Sequence, residues 1–111
     1  MSTAPPSLTN AQIKRRLRAE ILKLIYENHE SQRIRLDDLT LFSVMERLQF
    51  DAHLNLVREL LQDLRERGFV KFAEDKNRTT GEVALRQIQI LPRGCDILEK
   101  TISDPAVDVV E

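Results

Sequence analysis

The side chains able to do covalent chemistry are few and widely spaced. His29 and His53 are the two histidines and Cys95 is the single cysteine. Neither histidine has a cysteine or a second histidine at ligand spacing, so no metal site is expected. One cysteine cannot close an internal disulfide or build a Cys-rich zinc site. Cys95 follows Gly94 near an expected helix start, a place where a thiol can be acidified, but no histidine or resolving cysteine accompanies it and burial is expected. His29 falls at an expected helix end, where a cation is favoured. His53 falls in the first turn of another helix, where it packs or touches backbone, with a phosphate contact as the alternative. Asp37 and Asp38 look like paired carboxylates, yet neighbouring helical residues diverge by about 100°, so capping is the expected role. There is no glycine-rich phosphate loop and no nucleophile elbow. The sequence predicts no enzyme and no cofactor.

Recognition chemistry is better represented. Asn55, Glu59, Gln62 and Glu66 recur at spacings of three and four, with Arg58 to one side and Asp63 to the other. Asparagine and glutamine suit adenine edges, arginine suits guanine, and glutamate accepts from cytosine. The two glutamates oppose phosphate, whose attraction supplies non-specific affinity. A second stretch, Lys76-Asn77-Arg78-Thr79-Thr80, suits phosphate or a minor groove. Glu74, Asp75 and Glu82 offset Lys71, Lys76, Arg78 and Arg86, so a plain soluble hairpin tip is the alternative. Lys14, Arg15, Arg16 and Arg18 are four bases in five positions. They read as a solvated helix start or as phosphate contacts, although positive charge at a helix N-terminus opposes the macrodipole. Formal net charge is -1, so any nucleic-acid binding must come from such local patches.

The elements that position these residues follow from hydrophobic periodicity. Leu54, Val57, Leu60, Leu61 and Leu64 make one face of a helix from Ala52 to Arg67, with Asp51 as its cap and Gly68 as its stop. A strand follows over Phe69 to Ala73, then a polar loop from Glu74 to Glu82 and a strand from Val83 to Leu91. In that second strand Ile88 and Ile90 share one face, and Gln87 and Gln89 share the other with Leu85 and Leu91. Upstream, Thr9 and Gln12 form a capping box for a helix from Asn10 to about Asn28. Ile13, Leu17, Ile21 and Leu24 form its stripe, with Ile25 at the edge. Ala19, Leu22 and Tyr26 form a second apolar side, either a dimer interface or packing beneath the C-terminal segment. Arg35-Leu36 suits a short third strand. A helix within Asp37 to Leu48 carries Leu41, Phe42, Met45 and Leu48, with Asp37, Asp38 or Thr40 as its cap. A last helix covers about Arg93 to Ile102.

A chain of 111 residues suits one domain, here residues 9–102, between a loose arm (1–8) and an acidic tail (103–111). Aromatic residues are only 5% with no Trp, so the core must rest on Leu, Ile and Val. No apolar run approaches the roughly 20 residues that cross a bilayer, and no signal-peptide pattern opens the chain. A cytoplasmic location without a membrane partner is expected.

Two stretches carry a family likeness. The first is Leu54-x-x-Val57-x-x-Leu60-Leu61-x-x-Leu64-x-x-x-Gly68-Phe69-Val70. The second is Ile90-Leu91-Pro92-Arg93-Gly94-Cys95-Asp96-Ile97-Leu98-Glu99, which looks like the wing-to-helix junction of MarR-like and PadR-like regulators. Over residues 10–102 the chain resembles the winged helix-turn-helix superfamily. The spacing from Met45-Glu46-Arg47-Leu48 to Gly68 is also similar to that of small phage-encoded winged-helix proteins. Pro92 departs from the usual Ser or Thr, and Gln49-Phe50 stands where many relatives carry Gly. The resemblance implies an α+β, mainly α, winged helix: three helices, a two- to three-stranded wing sheet and a C-terminal helix. It also implies a transcriptional regulator of double-stranded DNA, and because one domain of this size covers little DNA, a dimer is expected. Asn55, Arg58 and Gln62 would face bases, and Lys76 and Arg78 would grip the backbone. The alternative is a winged-helix module that binds protein, suggested by the net charge, the acidic helix face and the acidic tail.

Overall fold

The apolar periodicity becomes four helices and a hairpin in the computed structural model, which describes residues 10–30 and 36–107. Helix α1 spans Asn10–Glu30, α2 Asp38–Arg47, α3 Leu54–Glu66 and α4 Pro92–Leu98. Strands β1 (Val70–Lys76) and β2 (Val83–Ile90) lie between α3 and α4 and pair antiparallel. The result is a small α+β fold, mainly helical. The arm at 1–8, the Thr9 cap, Arg35 and residues 108–111 lie outside the described residues.

Helix α1 is central and packs against β2, α3 and α4. Leu17, Ile21 and Ile25 are buried as the stripe requires, while Ile13 at its outer end is 39% exposed. Ala19 and Leu22 are buried too, at 1% and 0% exposure, because α1 is covered on more than one side. This corrects the dimer reading of Ala19 and Leu22, which are core of a single chain. Tyr26 is half-buried against that core. Helix α2 buries Leu41 and Met45, but Leu48 is its C-cap and lies 55% exposed rather than on the apolar face.

Three helices end the same way. After α3, Gly68 (φ 80°) donates to the Arg65 carbonyl and Phe69 to the Leu64 carbonyl, both at 3.0 Å. These two bonds satisfy carbonyls that the helix leaves open, and the left-handed residue between them favours glycine. Gln49 (φ 65°) and Phe50 repeat the pattern after α2, bonding to Glu46 and Met45. Lys100 (φ 63°) and Thr101 repeat it after α4, bonding to Ile97 and Asp96. That reversal ends α4 at Leu98, short of the expected Ile102. Pro92 opens α4 at a position whose N–H no helix bond needs, and Leu91 supplies no side-chain cap.

The start of α3 is also corrected. The Ala52 N–H is taken by the Phe50 carbonyl at 3.0 Å, which holds residues 50–52 outside the helix. His53, not Asp51, is the cap: its Nδ1 accepts from the Leu56 N–H at 3.1 Å.

The hairpin is longer than the polar loop suggested. β1 continues through Glu74, Asp75 and Lys76, which pair with Leu85, Ala84 and Val83. The register shifts between Lys71, opposite Gln89, and Ala73, opposite Arg86. Gln87 (φ 55°) and Ile88 therefore oppose Phe72 alone, which is a β-bulge. An extra residue reverses the alternation, so Leu85 joins Ile88 and Ile90 in the core instead of facing away from them. The bulge also turns the Ile88 N–H to the Leu36 carbonyl at 2.9 Å. That single bond stands where a third strand was expected; among the described residues the sheet has two strands.

The tail is not loose at its start. Asp104 bridges to Val107, and Ala106 and Val107 are buried. Arg18 Nη1 donates to the Ala106 carbonyl at 3.2 Å, and Arg67 pairs with Asp104 at 3.3 Å.

Candidate functional site

The polar back of α3 is held along both flanks. On one flank α1 supplies cations: Lys14 reaches Glu59 at 3.4 Å and Arg18 reaches Asp63 at 2.9 Å. The basic run of α1 thus serves in part to neutralise α3, a pairing its sequence distance of 45 residues conceals. On the other flank the hairpin supplies acids. Glu74 accepts from Gln62 at 3.0 Å and pairs with Arg65 at 3.1 Å. Arg65 also donates to Gln62 at 2.6 Å and stacks over the Phe72 ring at 4.6 Å.

Arg58 is the most constrained of these residues. Its Nε donates to Asp38 Oδ2 at 2.6 Å and its Nη1 to Glu82 Oε1, also at 2.6 Å. Asp38 is 1% exposed and takes two further bonds, from the Leu39 N–H at 2.8 Å and the Leu85 N–H at 3.1 Å. One carboxylate thereby ties α2, α3 and β2 together. Asp37 is the α2 cap, accepting from the Thr40 N–H at 2.8 Å. Burial disfavours the charge on Arg58, but the hydrogen bonds and charges of Glu82 and Asp38 outweigh it and hold its pKa above the ordinary arginine value. At Glu74 the Gln62 hydrogen bond, with help from Arg65, holds the carboxyl below the ordinary value.

The contacts run antiparallel: Gln62 and Arg65 meet Glu74, while Arg58, one turn nearer the start of α3, meets Glu82 beside the hairpin tip. The tip therefore lies at the N-terminal end of α3. It is built by Asn77, whose Oδ1 accepts from the Thr79 and Thr80 N–H groups at 2.8 and 3.2 Å. The Asn77 N–H donates to the Glu82 carbonyl at 2.7 Å, and the Asn77 carbonyl accepts from Gly81 at 2.7 Å.

Of the five residues expected to contact DNA, the structure leaves three open. Asn55, Lys76 and Arg78 are exposed and have no side-chain partner among the described residues. Arg58 and Gln62 are engaged within the chain, which corrects their reading as open base contacts. Each acid of the hairpin is also engaged: Glu74 by Arg65 and Gln62, Asp75 by Arg86 at 3.0 Å, and Glu82 by Arg58. Lys71, Lys76 and Arg78 are left uncompensated among the described residues. Sequence counting set four hairpin cations against three acids and did not show which would pair.

Among the described residues no group of three or more His, Cys, Asp or Glu side chains is placed to hold a metal. No described helix is long and apolar enough to cross a membrane. No protein-family model matches the chain, and no curated protein is similar enough to match it.

Proposed function

We propose that this is a DNA-binding winged-helix protein, a transcriptional regulator in class, with the β1–β2 hairpin as the wing and α3 as the recognition helix. The reading rests on one observation. The uncompensated cations Lys76 and Arg78 stand at the same end of the fold as Asn55, near the start of α3. In helix-turn-helix proteins the N-terminal residues of the recognition helix contact base edges, and flanking cations hold phosphate. Lys76 follows Phe72 and Glu74 at two-residue spacing, so it leaves β1 on the side that faces α3. Arg58 then acts as a strut between wing and helix, and sequence reading falls chiefly to Asn55.

Titration of a fluorescent duplex at low salt tests the proposal. Wild type binds, and Lys76→Ala/Arg78→Ala binds more weakly, with a salt slope smaller by about two. Absence of duplex binding, or binding indifferent to the double substitution, defeats it.

A second reading is a winged-helix module that docks on protein. It is favoured by the engagement of Arg58 and Gln62 and by Glu66, an exposed acid with no partner among the described residues on the same helix face. A Glu59→Lys/Glu66→Lys variant separates the two. If its protein partners are unchanged while duplex affinity rises sharply, that face is not a protein-docking surface.

A further inference from the structure

On the α1 flank of α3, opposite the flank that the hairpin covers, four cations line one cleft. Lys14, Arg15 and Arg18 stand on one side of α1 at helical spacing, and Arg67 faces them from the C-cap of α3. Ala11, Pro105 and Ala106 complete the wall with small side chains that leave about 360 Å³ open. That volume falls at the small end of ligand-binding clefts.

The cations differ in how firmly they are held. Arg18 is fixed, with Asp63 and the Ala106 carbonyl on its two terminal nitrogens, while its buried Nε has no acceptor. Arg15 has no side-chain partner among the described residues. Lys14 and Arg67 reach their carboxylates only at 3.4 and 3.3 Å. Charge-assisted bonds of good geometry run to about 2.7–2.9 Å; the Lys14–Glu59 pair is also exposed on both sides, where such pairs contribute little, while Asp104 is 12% exposed and also accepts from the Ala106 N–H. Arg67 sits at the C-terminal end of α3, whose dipole opposes an anion, so the cations must supply the attraction. One fixed cation, one without a partner among the described residues and two loosely paired cations around a small open volume suit a compact, multiply charged anion. Planar guanidinium forks suit phosphate oxygens in particular.

We infer that the α1–α3–tail cleft binds a small phosphate-bearing molecule through Arg15, Arg67 and Lys14, with Arg18 as the rigid floor. This site is distinct from the wing tip and does not depend on the DNA-binding proposal.

The test is titration of the full chain with pyrophosphate at constant ionic strength, followed by amide NMR shifts. Saturable shifts are expected at residues 11–18, 67 and 104–107. Arg15→Gln/Arg67→Gln should weaken binding by about tenfold, and Lys76→Ala/Arg78→Ala should leave it unchanged. Arg15→Gln alone breaks no hydrogen bond or ion pair among the described residues, so it reports even if the double variant fails to fold, and it should weaken binding several-fold. Shifts that chloride reproduces, shifts centred on the hairpin tip, no saturation, or unchanged binding in Arg15→Gln would each overturn the inference. Duplex affinity is a separate readout: loss of duplex binding in the wing variant alongside intact pyrophosphate binding marks two independent sites.

Discussion

Arg58 Nε lies 2.6 Å from Asp38 Oδ2, joining the start of α2 to the middle of α3. The two side chains are only 15% and 1% exposed, and the same Asp38 oxygen holds the Leu85 N–H of β2. Removing Asp38 strands a guanidinium and two backbone donors in partly buried surroundings. Asp38→Ala should therefore cost about 3 kcal/mol, the lower end for a broken buried pair because Glu82 still holds Arg58. Glu82→Ala, whose carboxylate is 57% exposed, should cost under about 1 kcal/mol. Urea denaturation of both variants checks the contrast, and equal costs would remove Asp38 from its structural role.

The helix ends give a prediction of opposite signs. Gln49 occupies a left-handed position with φ 65°, where a side chain costs about 1 kcal/mol and glycine does not. Gln49→Gly should raise stability by about 0.5–1 kcal/mol. Gly68→Ala should lower it by a similar amount, since its new Cβ meets only Arg93 Cδ at ordinary contact distance, 3.7 Å. Gly94→Ala should cost more, because there the Cβ would meet the Phe69 carbonyl oxygen and approach Ile90 Cγ1 to 2.8 Å. Thermal melts of the three variants should rank them in that order.

These same residues show what the sequence makes legible. Val57, Leu60, Leu61 and Leu64 announce α3 because a helix repeats every 3.6 residues, and Gly68 announces its end because few other residues take a positive φ easily. Gln49, Gln87 and Lys100 adopt that conformation without being glycine, so the matching reversal after α2, the bulge in β2 and the early end of α4 carry no residue-type signal. The bulge then inverted the expected facing of Leu85. Asn55, Lys76 and Arg78 were readable as an exposed set. The pairing that occupies Arg58 and Gln62 was not, because it depends on contacts 12 to 24 residues apart in the chain. Asp38 beside Asp37 looked like a spare cap until the fold buried it.

The Glu74 carboxyl gives a pH signature. Its folded pKa is lowered by the Gln62 hydrogen bond and by Arg65. A depressed acid stabilises the fold above its unfolded pKa, near 4.5, and that contribution is lost as pH falls through the folded value. A carboxyl-carbon NMR titration should find Glu74 below the ordinary glutamate range, and Gln62→Ala should move it back up. A Glu74 midpoint unaffected by Gln62→Ala would mean that the hydrogen bond does not form in solution.

On the DNA-binding proposal, the open residues divide the work and should fail in different ways. Lys76 and Arg78 carry charge with no compensating acid among the described residues, so their loss should weaken all duplexes alike and flatten the salt dependence. Asn55 carries no charge and can bond to an adenine edge, so Asn55→Ala should leave the salt slope unchanged while lowering preference for a selected site by about 1–3 kcal/mol. Glu66 lies on the same outer face as Asn55, at the far end of α3, and has no partner among the described residues. Glu66→Lys should therefore raise affinity for every duplex without sharpening preference. Selection of a preferred site from random duplexes, followed by salt titrations of the variants, measures both quantities. If Asn55→Ala changes neither preference nor affinity, α3 does not read the groove and duplex binding rests on the wing alone.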